Sequence, residues 1–269
     1  MMGSHNHDNM SFLEHLEELR WHIIRSLTAI VSAGLICFLM KEFIFDTIIL
    51  GPKKMSFPTY NFLCKAATFI GIETTFCGDE FPFTVQNRTM AGQFSAHIMT
   101  SIISGFIISF PYILYEFWKF ISPGLLKKEK ARSRGFIFIS SLLFFIGVLF
   151  GYYILTPLSI NFLGTYQVSN DVLNEIDLSS YIGLVRSSTL ASGIIFELPI
   201  IIYFLTKAGV VTPKTLIAYR KYALVGVLVL AAIITPPDVA SQIIVAIPIV
   251  ILYQVSIFIS KIVVKNQKV

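Results

Sequence analysis

The chain has 269 residues, 55% of them hydrophobic and only 14% charged, with a net charge of +5 and a pI near 9.0. Soluble domains carry about 25% charged residues, so this composition excludes an ordinary soluble protein and points to an integral membrane protein. The positive balance does not indicate nucleic acid, because the basic residues sit between apolar runs, where they orient a chain in a bilayer.

Residues 1–10 lack an apolar pattern and read as a disordered or added extension, with Met10 available as a second start. Ser11-Phe-Leu-Glu14 has the form of a capping box, with Ser11 as N-cap and Glu14 reaching back. A helix begun there places Phe12, Leu16, Leu19 and Ile23 on one face and Glu14, Glu17 and Glu18 on another. An amphipathic helix thus enters the first span with an acidic stripe. Anionic headgroups repel such a stripe, so a basic ligand is its natural counterpart. The competing reading is a solvated face on which Glu18 pairs locally with His22 and Arg20. The apolar run Ile23 to Met40 holds Arg25 and leads into Lys41-Glu-Phe without a small-residue cleavage site, so it is expected to stay as the first span.

Apolar windows long enough for the hydrocarbon core fall at about 22–44, 95–117, 134–156, 184–206, 221–234 and 239–260, a single six-span domain over 11–269. Fifteen of the 21 lysines and arginines lie in the N-terminal helix, 118–134, 207–221 and the C-terminal tail, which puts both termini in the cytoplasm. The remaining bases are Lys41, Lys53, Lys54, Lys65, Arg88 and Arg186, and segment 157–183 has acids alone. The fifth span, Tyr222 to Ile234, has 13 residues, about 20 Å of helix. The apolar part of the sixth, Ile243 to Ile259, has 17. Thr235-Pro-Pro-Asp238 turns between them, so this hairpin must thin the bilayer or sit recessed.

Other marks concern packing. Gly147-Val-Leu-Phe-Gly151 lets another helix approach closely, and Pro111 is expected to kink the second span. Cys64 and Cys77 share the long external segment 51–94, where thiols oxidise, and a disulfide is expected between them; Cys37 reads as a small packing residue. Tyr115-Glu-Phe-Trp118-Lys-Phe120 forms an aromatic belt before Pro123-Gly-Leu125, and Glu129 follows as a lone acid among bases. Glu197 lies in the apolar run Leu190 to Leu205, with Pro199 freeing a backbone carbonyl near Ile195. An ionisable residue inside a span reads as a functional site.

Taken in order, Phe12-Leu-Glu-His-Leu-Glu-Glu-Leu-Arg20, Tyr115-Glu-Phe-Trp-Lys-Phe-Ile-Ser-Pro123-Gly-Leu, Phe196-Glu197-Leu-Pro199 and Thr235-Pro-Pro-Asp238-Val-Ala-Ser-Gln242 resemble the TatC family, the signal-peptide receptor subunit of the twin-arginine protein translocase. The resemblance implies an all-α membrane fold, six helices in a concave, glove-like arrangement with a short fifth and sixth. It implies a multi-pass protein of the cytoplasmic (inner) membrane. It implies binding of twin-arginine signal peptides on folded cargo, with export driven by the proton-motive force. Glu18 and Glu129 match the acids of the recognition site, with Arg20, Phe120 and Leu125 beside them. Pro52 matches a proline after the first span, and Thr235, Asp238 and Gln242 match the docking region for single-span partner subunits of the TatA/TatB type. The resemblance also implies several copies of the chain in one receptor. The long segment holding Cys64 and Cys77 departs from the compact loop of the family.

The alternative is a proton- or ion-coupled small-molecule transporter that uses Glu197. Against it stand the lack of an internal repeat and of a second buried acid to relay a proton. No HExxH, GxSxG or P-loop pattern marks an enzyme, and neither metal nor cofactor is expected.

Overall fold

The structure is a computed structural model and describes residues 12–71, 77–78, 81–121, 133–169, 171–234 and 239–267. In chain order the elements are α1 (Phe12–Leu39), a π-helical segment (Phe43–Ile49), a tight turn (Gly51–Lys53), α2 (Pro58–Ile70), β1 (Phe83–Gln86) and α3 (Gly92–Ile121). There follow α4 (Ser133–Phe150), a second π segment (Gly151–Leu155), α5 (Thr156–Thr165) and β2 (Asn174–Asp177). Last come α6 (Leu178–Phe196), α7 (Leu198–Lys207), α8 (Pro213–Ala218), α9 (Arg220–Ile234) and α10 (Val239–Gln267).

Five stretches are long and apolar enough to cross a membrane: His15–Leu39, Gly92–Ile121, Gly135–Thr165, Leu178–Lys207 and Gln242–Lys265. They correspond to the first four expected spans and the sixth. The expected fifth is α9, whose 15 residues are too few for an average bilayer. The sixth is longer than its apolar count, since α10 has 29 residues and carries Ile262, Val263 and Val264 beyond the 17-residue run. The third span also runs on past residue 156 as α5, because Pro157 sits in the first turn of that helix, where its missing N–H is harmless.

The chain divides into two compact units, Met1–Lys41 with His97–Leu142, and Glu42–Ala96 with Leu143–Val269. In the first, α1 and α3 run antiparallel with a constant register. His97 Nε2 lies 3.0 Å from the Phe38 carbonyl, and Ser109 Oγ donates to the Ala29 carbonyl at 3.0 Å. Between those ties a Cβ on Gly105 would stand 2.5 Å from Gly34 N and 2.6 Å from Ile30 O, so only glycine lets the two backbones approach. Pro111 lies inside α3, which continues through it. Trp118 is buried against Phe136, with ring centroids 4.8 Å apart. Cys37 is buried with a free thiol, as a packing residue would be.

In the second unit, Gly147 and Gly151 press against α6. A Cβ on Gly147 would meet Ser192 O at 2.7 Å, and one on Gly151 would meet Ser188 O at 2.6 Å. The GxxxG therefore serves helix packing. Three tyrosines, two of them buried, fix one end of this unit through backbone carbonyls. Tyr181 Oη donates to Ile49 O at 3.0 Å and Tyr152 Oη to Ile48 O at 2.8 Å. Tyr60 Oη lies 2.9 Å from Pro52 O and 3.0 Å from Pro157 O, and burial raises its pKa. Pro52 is itself buried, and its carbonyl anchors α2.

Two short strands, which the apolar pattern did not announce, pair in parallel from Phe83↔Asn174 to Gln86↔Asp177. Each has four residues and joins segments on either side of the spans, so no periodicity accumulates to reveal them. Arg88 closes the pairing with an ion pair to Glu175 at 3.0 Å. Asp177 caps α6, and the Ser179 N–H bound to its carboxylate holds its pKa below the usual value.

Cys64 and Cys77 are joined by a disulfide, with Cα atoms 5.1 Å apart. Closing a loop of that size restrains the unfolded chain by roughly 3 kcal/mol. Cys64→Ser is therefore expected to lower the denaturation midpoint while leaving the spans helical by circular dichroism. Alkylation of both thiols in protein taken from oxidising membranes, read by mass spectrometry, would instead show the bond to be absent there.

Candidate functional site

The sequence of α1 places His15, Glu18, His22 and Arg25 three or four residues apart, on one helical face. This face meets the last turns of α3, which carry Tyr112, Glu116, Lys119 and Phe120. At the centre is Glu116, only 2% exposed. Its Oε2 lies 2.6 Å from His22 Nδ1 and 3.7 Å from Arg25 Nη1, and its Oε1 lies 3.8 Å from Lys119 Nζ. Tyr112 adds a hydrogen bond to the same carboxylate. An ionised carboxylate only accepts, so His22 Nδ1 carries the proton. Glu116 is thus surrounded by donors and has no capacity left for an incoming cation.

Beyond Glu116 on the same helix, the Phe120 ring is stacked on His15 at 4.5 Å and stands edge-on to His22 at 6.2 Å. Glu18 comes between those two histidines on α1. It is partly exposed, and its Oε2 is sheltered from solvent without a hydrogen-bond partner among the described residues. The two acids of this corner are therefore in opposite conditions. Glu116 is saturated from within, and Glu18 keeps a carboxylate oxygen without a hydrogen-bond partner among the described residues. Arg20 is exposed. The local pairing weighed for Glu18 with His22 is not formed, because His22 gives its proton to Glu116.

The second unit holds the other candidates. Glu197 is 8% exposed and caps α6 where that helix stops and α7 starts. Its N–H donates to Ile194 O at 3.1 Å and its carbonyl accepts from Ile200 and Ile201. Pro199 thus breaks the span at Glu197 and sets the acid on the break. Its neighbours Ile195 and Leu198 pack on the cluster of Leu155, Val227, Ala231, Val245, Ala246 and Ile249. Gln242 lies in the first turns of α10 and donates to Leu228 O of α9 at 3.1 Å, tying the short hairpin. Leu125, Glu129, Thr235 and Asp238 lie outside the described residues, as does Ser11 of the capping box. Among the described residues no group of three His, Cys, Asp or Glu side chains could hold a metal ion.

Sequence reading passed over Glu116. It was quoted within the aromatic belt and given no role of its own. The available signal was an acid one turn before the end of an apolar run, with a histidine at the matching level of α1.

A profile of the family described as Sec-independent protein translocase protein (TatC) matches residues 14–248. The chain belongs to the TatC family. It is 46% identical to the TatC protein of Blattabacterium sp. subsp. Periplaneta americana over 254 residues, covering 94% of this chain and 96% of that one. It is 36% identical to the TatC protein of Aquifex aeolicus, covering 96% and 98%. A crystal structure described as the twin arginine translocase receptor TatC superposes with a TM-score of 0.69 at 35% identity, over 93% of this chain and 100% of that one. These likenesses make the chain a component of the Sec-independent, twin-arginine protein translocase and a helical membrane protein, as the ordered motifs implied.

Proposed function

We propose that this TatC protein is the receptor of its translocase and that the α1–α3 corner around Glu18 binds the arginine pair of a signal peptide. The observation that carries this is the contrast between Glu18 and Glu116, one carboxylate with an unpartnered oxygen and the other satisfied, with the Phe120 ring against the two histidines that flank Glu18 on α1. A guanidinium is a planar fork that matches a carboxylate in two parallel hydrogen bonds and also stacks on aromatic faces. Phe120 supplies such a face and Glu18 supplies the oxygens. Glu129, which matches the second acid of the family's site, completes the pair for the second arginine.

In this reading both termini are cytoplasmic, so the corner faces the compartment where signal peptides are made. The apolar part of the peptide then enters the hydrocarbon layer of the membrane. Pro52 and the Thr235, Asp238 and Gln242 hairpin receive single-span partner subunits, and several copies of the chain assemble in one receptor. Transport draws on the proton-motive force, and Glu197 serves a later assembly or transport step more than peptide binding. The protein has no catalytic role of its own in this scheme.

The test is affinity of the purified protein, in nanodiscs, for one signal peptide made with Arg-Arg, Lys-Lys or Gln-Gln at the paired position. Arg-Arg is expected to bind about tenfold or more tightly than Lys-Lys, since ammonium is a point charge that cannot fill the fork. Equal binding of all three peptides would reduce the stripe to a solvated face.

A further inference from the structure

Arg186 stands in α6, about two turns past Leu178, inside a stretch apolar and long enough to cross a membrane. The residue is half-buried. Its Nη1 is hidden from solvent, and no hydrogen bond or ion pair reaches the guanidinium among the described residues. Arginine within a span normally pairs with an acid, a carbonyl or water. The ion pairs among the described residues are those of Glu116 and of Arg88 with Glu175, so this cation is left over.

Of the acids of the same unit that are left over as well, two stand together on one segment. Glu42 and Asp46, at the end of the first span, are both exposed and take no part in a hydrogen bond or ion pair among the described residues. Four residues apart, they share a helical face, whereas Lys41 is adjacent to Glu42 and faces elsewhere. Their height matches that of Arg186. The Tyr181 hydroxyl on the Ile49 carbonyl, at 3.0 Å, sets a common level for the two segments. Counting back along the π-helical segment, Asp46 stands three and Glu42 seven residues from Ile49, and Arg186 stands five residues beyond Tyr181 down α6. The base falls between the two acids, in a layer where a charge without a partner is disfavoured.

We propose that the Glu42/Asp46 face of one copy receives Arg186 of a second copy. Each copy offers one acidic and one basic half, so a two-fold pair or a closed ring satisfies every charge. Opposite charge and equal depth on one chain favour a second copy over any other acid-bearing occupant. The proposal does not depend on the reading of Glu18, and peptide affinity plays no part in its test.

The experiment co-expresses two differently tagged full-length chains, solubilises the membranes in mild detergent and measures how much of one tag the other retrieves. Arg186→Glu in both copies is expected to reduce retrieval about tenfold, and so is Glu42→Arg with Asp46→Arg in both. One chain of each kind together restores it, because every acid then meets an arginine across the contact. Thermal midpoints and the Cys64–Cys77 bond are read alongside, to show that each variant is folded. Recovery only when all three changes sit in one chain would overturn the proposal in favour of a pair within the molecule. Undiminished retrieval in the single-kind variants would overturn it too, leaving Arg186 to a lipid phosphate or to a single-span partner. Should a reversed chain fail to accumulate, an Asp46→Cys copy and an Arg186→Cys copy are oxidised together. A crosslink between the two tags is expected, and its absence counts against the contact.

Discussion

His22→Ala is expected to destabilise the protein by about 3 kcal/mol, because it withdraws the closest partner of a buried carboxylate. Glu116 is 2% exposed, and the imidazole 2.6 Å away is its only short ionic contact among the described residues. Arg25 and Lys119 remain, but at 3.7 and 3.8 Å and from side chains about half exposed they compensate in part. Glu116→Gln is expected to do less harm, since the amide keeps the shape and one acceptor. A leucine at both positions should recover most of the loss, because two apolar side chains leave no buried charge to neutralise. Thermal unfolding in detergent across the two single variants and the double gives the coupling. Strictly additive losses would mean that His22 and Glu116 act separately and that the α1–α3 corner is held by packing alone.

The same corner shows what the sequence could and could not disclose. Long apolar runs announced the spans, since burial in lipid demands length and hydrophobicity and both are written along the chain. Their ends were less legible. Pro157 and Ile262 extend the third and sixth helices past the counted runs, because a helix continues wherever its backbone bonds close, whatever the polarity of its last turns. Local breaks could be read: Pro199 ends α6 at Glu197, and Gly147 and Gly151 pack where their spacing said they would. Contacts between distant residues were beyond reach. The Gly34–Gly105 approach, the hydroxyl ties of Tyr60 and Tyr181 and the pairing of β1 with β2 each join segments far apart in the chain. No spacing rule records them. Glu116 was obscured for the same reason. An acid in an aromatic belt looks like an interfacial residue until the partner from α1 is seen. Glu18 was legible through its acidic stripe and through the ordered family motifs, but its unpartnered oxygen was not.

Reversal of both acids, Glu18→Lys with Glu129→Lys, is expected to abolish binding of twin-arginine peptides while the protein stays folded. Glu18 is partly exposed and lies outside the Glu116 network, so changing it leaves the buried ion cluster intact. One exposed ion pair is worth only about 0.2 to 1 kcal/mol, so a single Glu18→Ala is expected to weaken binding a few-fold. A fork-shaped guanidinium held by a carboxylate and stacked on Phe120 gains more, and two such contacts made together lose more than the sum when both are removed. Charge reversal adds repulsion between the new ammonium groups and the arginine pair, and it should exceed alanine at either position. Peptide affinity in nanodiscs is the measurement, with the thermal midpoint as control. Phe120→Leu separates stacking from bulk, since it keeps an apolar side chain and removes the ring face; it should cost affinity for Arg-Arg more than for Lys-Lys. If the doubly reversed protein still binds the Arg-Arg peptide at wild-type affinity, the arginines are read elsewhere and the α1–α3 corner is structural.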